Sequence, residues 1–178
     1  MKGIERIQRY AQALYEVAAK QGVLENIQQD MDYIEEIVGS SEELHEFFHN
    51  TKNYSLSDKK VLDTVFIPYV HELTANTIKL LKDNKRLSAL PLLPKAYRDI
   101  DLMERNITEV TVESASPLDE ETKKQILNTM KNKVQGDVLL KESLQPSIIG
   151  GVRIIWNNRM IDHSLKGRLK ALKVQLSR

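Results

Sequence analysis

Two hydrophobic periods run along the chain, and the change from one to the other divides it. From Ile4 to about Arg105, apolar residues recur at three- and four-residue steps, the period of an amphipathic helix; from Ile107 they alternate every second residue over short runs, the period of a strand. The first pattern predicts helices over 4–21 and 24–38 and a short one begun by Ser41 with Leu44, Phe47 and Phe48. It predicts another opening at Ser55 or Ser57 and carrying Val61, Leu62, Val65 and Phe66, one over 70–84, and a last one from about Pro94. Gly22, Gly39-Ser40-Ser41 and Pro68 supply the stops, and Pro94 suits a first-turn position. Leu24, Ile27, Met31, Ile34 and Val38 fall in register on the second helix; Leu73, Thr77, Leu80 and Leu81, with Ile78 beside them, fall on one side of 70–84; and Leu93, Tyr97, Ile100 and Met103 face the core on the last. Six short helices with short connections predict an all-α bundle over residues 1–105.

The first helix is apolar over more of its circumference than one buried stripe needs. Ile4, Ile7, Ala11, Leu14, Tyr15 and Ala18 fall on one face, and Tyr10, Ala13 and Val17 on the adjoining one. Together they span roughly 200°, against roughly 100° for a helix that buries a single stripe. Arg6 is the one charge at the margin. Either the helix is wedged deep in its bundle, or one face packs inside while the other is left for a partner helix.

In the second part, Ile107–Ser114 (ITEVTVES) reads as a strand. Ser116-Pro117-Leu118-Asp119 is a turn and cap, and 119–134 a charged helix with Ile126, Leu127, Met130 and Val134 inward. Gly136-Asp137 turns into a strand over 138–144. Gly150-Gly151 follows, where the backbone must bend or approach another backbone closely. Val152, Ile154 and Trp156 then alternate with Arg153 and Ile155, with Trp156 expected half in the core and half on the surface. Asn157-Asn158 fits a tight hairpin turn, and Met160 and Ile161 return. Asp162 or Ser164 can cap a basic helix in which Leu165, Leu169, Leu172 and Leu176 recur. Residues 106–178 therefore predict a small α+β domain with helices on one side of a mixed sheet.

Composition narrows the chemistry. The 178 residues carry a net charge of +1 and no cysteine. Disulfide scaffolds, thiolate zinc sites and cysteine nucleophiles are excluded, and the overall field argues against generic nucleic-acid binding. No stretch approaches the roughly 20 apolar residues that span a bilayer. MKGIERIQRYAQ reads as neither a signal nor a transit peptide. His45-Glu46-Phe47-Phe48-His49 is a literal H-E-x-x-H, which on a helix could place two imidazoles on zinc with Glu46 as general base. That reading lacks a spaced third ligand and a long enough helix, and Phe47 and Phe48 also suit a core. Gly150-Gly151 lacks the lysine and the following helix of a phosphate loop. Lys166, Arg168, Lys170, Lys173 and Arg178 make the last helix basic, either as a solvated face or for an acidic partner; a nucleic-acid binder on that helix would show steep salt dependence. No pair of carboxylates or serine–histidine arrangement proposes an active site. The residues alone point to a two-domain binding or structural protein, with helix capture the natural use of the first helix.

The closing stretch resembles the delta subunit family of F-type ATP synthase, which includes the mitochondrial oligomycin-sensitivity-conferring protein. The resemblance is carried by Pro146-Ser147-Ile148-Ile149-Gly150-Gly151-Val152 and by Asp162-His163-Ser164-Leu165 with Leu169. Asn157-Asn158 and His163 stand where the family often has glycine. Arg9–Ala18, Asn84-Lys85-Arg86-Leu87 with Leu90-Pro91, and Glu113–Leu118 extend the similarity over most of the chain. The resemblance implies a non-catalytic peripheral-stalk subunit without cofactor. It would tie the catalytic head to the b subunits so that rotor torque drives ATP synthesis and ion translocation, with either protons or sodium as coupling ion. It implies that the N-terminal helix of an α subunit lies between the first and fifth helices, here over Tyr10, Ala13, Leu14, Val17, Thr77, Leu80 and Leu81. It also implies a b-subunit contact around Gly150, Gly151, Val152, Ile154, Trp156, Asp162, Ser164, Leu165 and Leu169. One copy per complex is expected, on the cytoplasmic side of a bacterial membrane and held there only through the complex.

Overall fold

In the computed structural model, which describes residues 2–50, 61–134 and 136–169, the first hydrophobic period becomes helices and the second a four-stranded sheet. The chain divides into two compact units, Met1–Asp101 and Leu102–Arg178.

In the first unit, α1 spans Lys2–Gln21 and ends at Gly22, whose φ of 71° is the left-handed turn a glycine adopts without strain. Helix α2 (Leu24–Ser40) runs on through Gly39 and Ser40, past its expected end at Val38, and α3 follows at Glu42–Asn50. Ser41 Oγ accepts from the Leu44 N–H at 3.3 Å, the expected cap of α3. The start expected at Ser55 or Ser57 lies outside the described residues. Its continuation, α4 (Leu62–Phe66), is wound as a π-helix and passes into a 3₁₀ turn, Ile67–Tyr69, at Pro68. Helix α5 spans Glu72–Asp83, a 3₁₀ segment covers Leu87–Leu92, and α6 spans Leu93–Glu104.

The core of this unit joins Ile7, Leu14, Ile27, Met31, Phe48, Phe66, Ile78, Leu90 and Tyr97, all buried. Tyr15 and Tyr97 meet with ring centroids 5.6 Å apart, and Phe48 and Phe66 at 6.1 Å, both tilted as aromatic quadrupoles prefer. Each such side chain contributes about 1.5–3 kcal/mol by leaving water. On α5 the buried row is Thr74, Ala75, Ile78 and Leu81. Of the side that carries Leu73, Thr77, Leu80 and Leu81, only Leu81 is in this row: Leu73 and Thr77 are half-buried and Leu80 is exposed. The helix is turned so that the small residues Thr74 and Ala75 approach its neighbours. Met103, expected inward, is 80% exposed because the last turn of α6 runs past the core.

An interaction with no signal in the hydrophobic pattern fixes α5. Asp30, buried on α2, accepts from the His71 backbone N–H at 2.9 Å and from Thr74 Oγ1 at 2.5 Å. It thereby satisfies donors at the start of α5 from a neighbouring helix. Burial pushes its carboxyl upward, and the Thr74 and His71 hydrogen bonds act against that.

In the second unit, β1 (Ile107–Ser114), α7 (Glu120–Lys131) and β2 (Asp137–Leu144) form a β-α-β unit with the strands parallel, Val110 opposite Leu140. A short 3₁₀ turn, Pro146–Ile148, leads to β3 (Val152–Trp156) and β4 (Arg159–Asp162). Strand β3 is antiparallel to β1, giving the order β2-β1-β3-β4. Val110, Val112, Ile154 and Trp156 from the sheet meet Ile126 and Met130 of α7 in a separate core. Trp156 is only 8% exposed, so it belongs to that core and not half to the surface. Asp119 caps α7, accepting from Thr122 N–H at 2.7 Å. Asn157 and Asn158, at φ 43° and 61°, form the left-handed two-residue turn that matches strand twist.

Candidate functional site

Two surfaces carry the residues singled out from sequence. The first is the outer face of α1 and α5, which pack against each other. The inner arc of α1 is sealed: Ile7, Ala11, Leu14, Tyr15 and Ala18 are all buried. The adjoining arc is not. Tyr10 is half-buried, Ala13 exposed and Val17 38% exposed. On α5, Leu80 is 51% exposed and Thr77 half-buried. Thr77 Oγ1 donates to the Leu73 carbonyl at 2.9 Å, so its hydroxyl is satisfied within the helix and its methyl is the free end. Leu14 and Leu81, at 4% and 0% exposure, lie in the core and can only floor this face. The wide apolar arc of α1 thus splits into a core half and an outward half.

Beyond the apolar stripe is a cleft of about 240 Å³, lined by residues that include Arg6, Tyr10, Leu81, Lys85, Arg86 and Ser88. Arg86 Nη1 donates to the Tyr10 hydroxyl at 3.0 Å, with its guanidinium 5.9 Å from the ring centroid. From sequence, Lys85-Arg86 reads as a basic final turn serving the helix dipole. In the structure both residues follow the end of α5, and Lys85 takes a left-handed φ of 55°. The sequence signal for the cleft is Arg6 at the edge of an otherwise apolar arc.

The second surface is built by the closing motif. Asp162 Oδ1 accepts from the Ser164 N–H at 2.9 Å and from Ser164 Oγ at 2.5 Å. Ser164 Oγ in turn accepts from the Gly167 N–H at 3.0 Å, so Ser164 caps the helical turn at 165–169, with Asp162 bracing it. These Ser164 bonds, helped by Arg153 at 3.4 Å, hold the Asp162 carboxyl below the usual range. Gly151 has φ 75°, and a Cβ there would sit 2.4 Å from the His163 carbonyl oxygen; one on Gly150 would meet Leu165 at 3.0 Å. The glycine pair therefore lets the chain before β3 pass against the start of the last helix. Ile154 and Trp156 point into the core and Val152 is half-buried, while the exposed apolar residues of this stretch include Leu165, Leu169 and Ile149. Ile149, part of the motif but not of the expected b-subunit contact, holds φ 71°, an unfavourable angle for a β-branched side chain.

The side chains of His45 and His49 lie outside the described residues, and so do Leu172, Leu176 and the basic residues from Lys170 onward. Among the described residues no cluster of three metal-ligating side chains occurs, and no helix is long and apolar enough to cross a membrane.

Comparison with known proteins covers nearly the whole chain. Residues 7–176 match the family model described as ATP synthase delta (OSCP) subunit. The ATP synthase subunit delta of Bacillus cytotoxicus is 31% identical over 169 residues, covering 94% of this chain and 93% of the relative. That of a Synechococcus species is 32% identical over the same shares. A chain in the cryo-EM structure of the Toxoplasma gondii mitochondrial ATP synthase hexamer superposes with a TM-score of 0.67 at 27% identity, over 97% of both chains. The H-E-x-x-H reading of a zinc peptidase finds no support among these relatives. With a family match that spans both units and their motifs, this chain belongs to the ATP synthase delta (OSCP) subunit family.

Proposed function

We propose that this delta subunit joins the catalytic head of an F-type ATP synthase to its peripheral stalk by holding one partner on each unit. On the first unit, the outer face of α1 and α5 receives the N-terminal helix of an α subunit over Tyr10, Ala13, Val17, Thr77 and Leu80, with Leu14 and Leu81 beneath. The observation that carries this reading is the split arc of α1: its inner half is buried while Ala13 and Val17 stay in solvent beside an exposed Leu80. A second amphipathic helix laid there would remove apolar surface from water on both sides. On the second unit, the b-subunit ends contact Leu165, Leu169 and Ile149, supported by the Gly150-Gly151 passage and the Asp162–Ser164 cap. The subunit works without cofactor, one copy per complex, at the cytoplasmic side of a bacterial membrane that it reaches only through its partners.

The test is a titration of the full chain with a fluorescent peptide of the first 25 or so residues of its own complex's α subunit. Ala13→Glu places a charge in the apolar stripe at an exposed position, so the helical circular dichroism should be unchanged. The affinity should fall by about tenfold or more, as for an interface centre. Unchanged affinity in a folded Ala13→Glu protein would reject the docking face.

A further inference from the structure

Among the described residues, the cleft between the start of α1 and the end of α5 is lined by three cations and no carboxylate. Arg6, Lys85 and Arg86 line it, and none of the three makes an ion pair among the described residues. The first explanation for basic residues after a helix is service to its terminal carbonyls. Here three of the last four carbonyls are already satisfied by other donors. Leu80 O accepts from Asn84 N at 3.1 Å and from Asn84 Nδ2 at 2.8 Å; Lys82 O accepts from Lys85 N at 2.8 Å, and Leu81 O from Arg86 N at 2.7 Å. The Arg86 guanidinium turns away from them to the Tyr10 hydroxyl. That hydroxyl accepts from Arg86 and keeps its own O–H to donate. Tyr10 and Arg86 therefore present two donors side by side, where the apolar stripe of Tyr10, Ala13 and Val17 ends.

Resting on the docking face argued above, we infer that the helix captured there carries a carboxylate side chain at one end, bound in this cleft by Arg86 and the Tyr10 hydroxyl, with Arg6 and Lys85 adding field. A carboxylate is the group that matches this set: it accepts several hydrogen bonds at once, and a guanidinium binds it with directed N–H donors. The apolar stripe supplies most of the affinity. The cleft fixes which end of the helix lies over Tyr10, because a helix docked the wrong way round would leave the cations unpaired or facing a basic residue.

The experiment uses the full chain and the same α-subunit peptide, with Ala13→Glu as the control for the docking face. Arg86→Glu should weaken binding by about tenfold, and Lys85→Glu, at an exposed position, by a smaller factor with weaker salt dependence. Replacing one Asp or Glu of the peptide by Lys should weaken binding to the unaltered chain and restore it to the Arg86→Glu chain. If Ala13→Glu abolishes binding while Arg86→Glu, Lys85→Glu and every peptide charge reversal leave it unchanged, the docking face stands and the carboxylate cleft is overturned. If none of the variants alters binding, the docking face itself is overturned. Should Arg86→Glu lower the melting temperature, the Lys85→Glu and peptide arms decide the matter unaided.

Discussion

Gly151 and Ser164 show how single positions set the last helix in place. At Gly151 a methyl group would meet the His163 carbonyl on a backbone already at positive φ, and neither neighbour is a flexible side-chain end that can swing aside. Gly151→Ala should therefore destabilise the chain by about 2 kcal/mol or more, read as a lower urea midpoint. Ser164→Ala removes the cap of the last helix and should cost about 1 kcal/mol. It also changes the response to acid. Ser164 donates the bonds that contribute most to holding the Asp162 carboxyl below its ordinary value. A carboxylate held low stabilises the fold fully above its unfolded pKa, and that share is lost as pH falls through the folded one. Urea midpoints measured down from pH 5 should fall less steeply for Ser164→Ala than for the unaltered chain; parallel curves would show that Asp162 does not draw its stabilisation from Ser164.

Among the elements, α1 and β1 are legible and α5 is not. Ile7, Ala11, Leu14 and Ala18 repeat at helical spacing with polar residues between, so the buried face of α1 follows from periodicity, and its surplus arc with Ala13 and Val17 follows too. The β-branched alternation of 107–114 leaves one reading, as does the Asn157-Asn158 turn. On α5 spacing groups Leu73, Thr77, Leu80 and Leu81 on one side but does not announce that Thr74 and Ala75 belong to the buried row. Thr74 is held by Asp30, 44 residues away in sequence, and no local pattern announces such a pair. The cleft is hidden for the same reason, since Tyr10 and Arg86 are 76 residues apart. Asp30 gives α5 its own prediction. Asp30→Ala leaves the His71 N–H and the Thr74 hydroxyl without their acceptor and should cost about 1–3 kcal/mol. It should weaken α-peptide binding as well, because Thr77 and Leu80 ride on the same helix. Asp30→Asn keeps an acceptor oxygen and removes the charge. Since burial raises the Asp30 pKa, the unaltered fold loses stability as pH climbs from the ordinary carboxyl value through the raised one. The Asn variant should lack that loss, and identical slopes in the two proteins would refute this assignment.

For the whole molecule, two separate cores under the proposed function imply two independent attachments in series. The first core is built from residues of α1 to α6 and the second from β1, α7 and β3, with no residue in common. A defect at one attachment should therefore leave the other partner bound. A linker that resists torque needs slow dissociation at each end, and apolar anchors excluded from water supply that better than exposed ion pairs, which salt screens. In membrane vesicles carrying the assembled complex, Ala13→Glu should release the head from this subunit while the subunit stays with the stalk. Leu165→Glu, on the second unit, should do the reverse. Both should leave ATP hydrolysis near its normal rate, because no catalytic group is touched, and both should reduce ATP-driven ion pumping several-fold, because an unheld head turns with the rotor. Fluorescence quenching by a pH- or sodium-sensitive dye, measured beside phosphate release, reads the two rates in one preparation. Hydrolysis and pumping that fall together would mean that these residues support the enzyme in another way, and a head retained by the Ala13→Glu complex would mean that a second contact holds it.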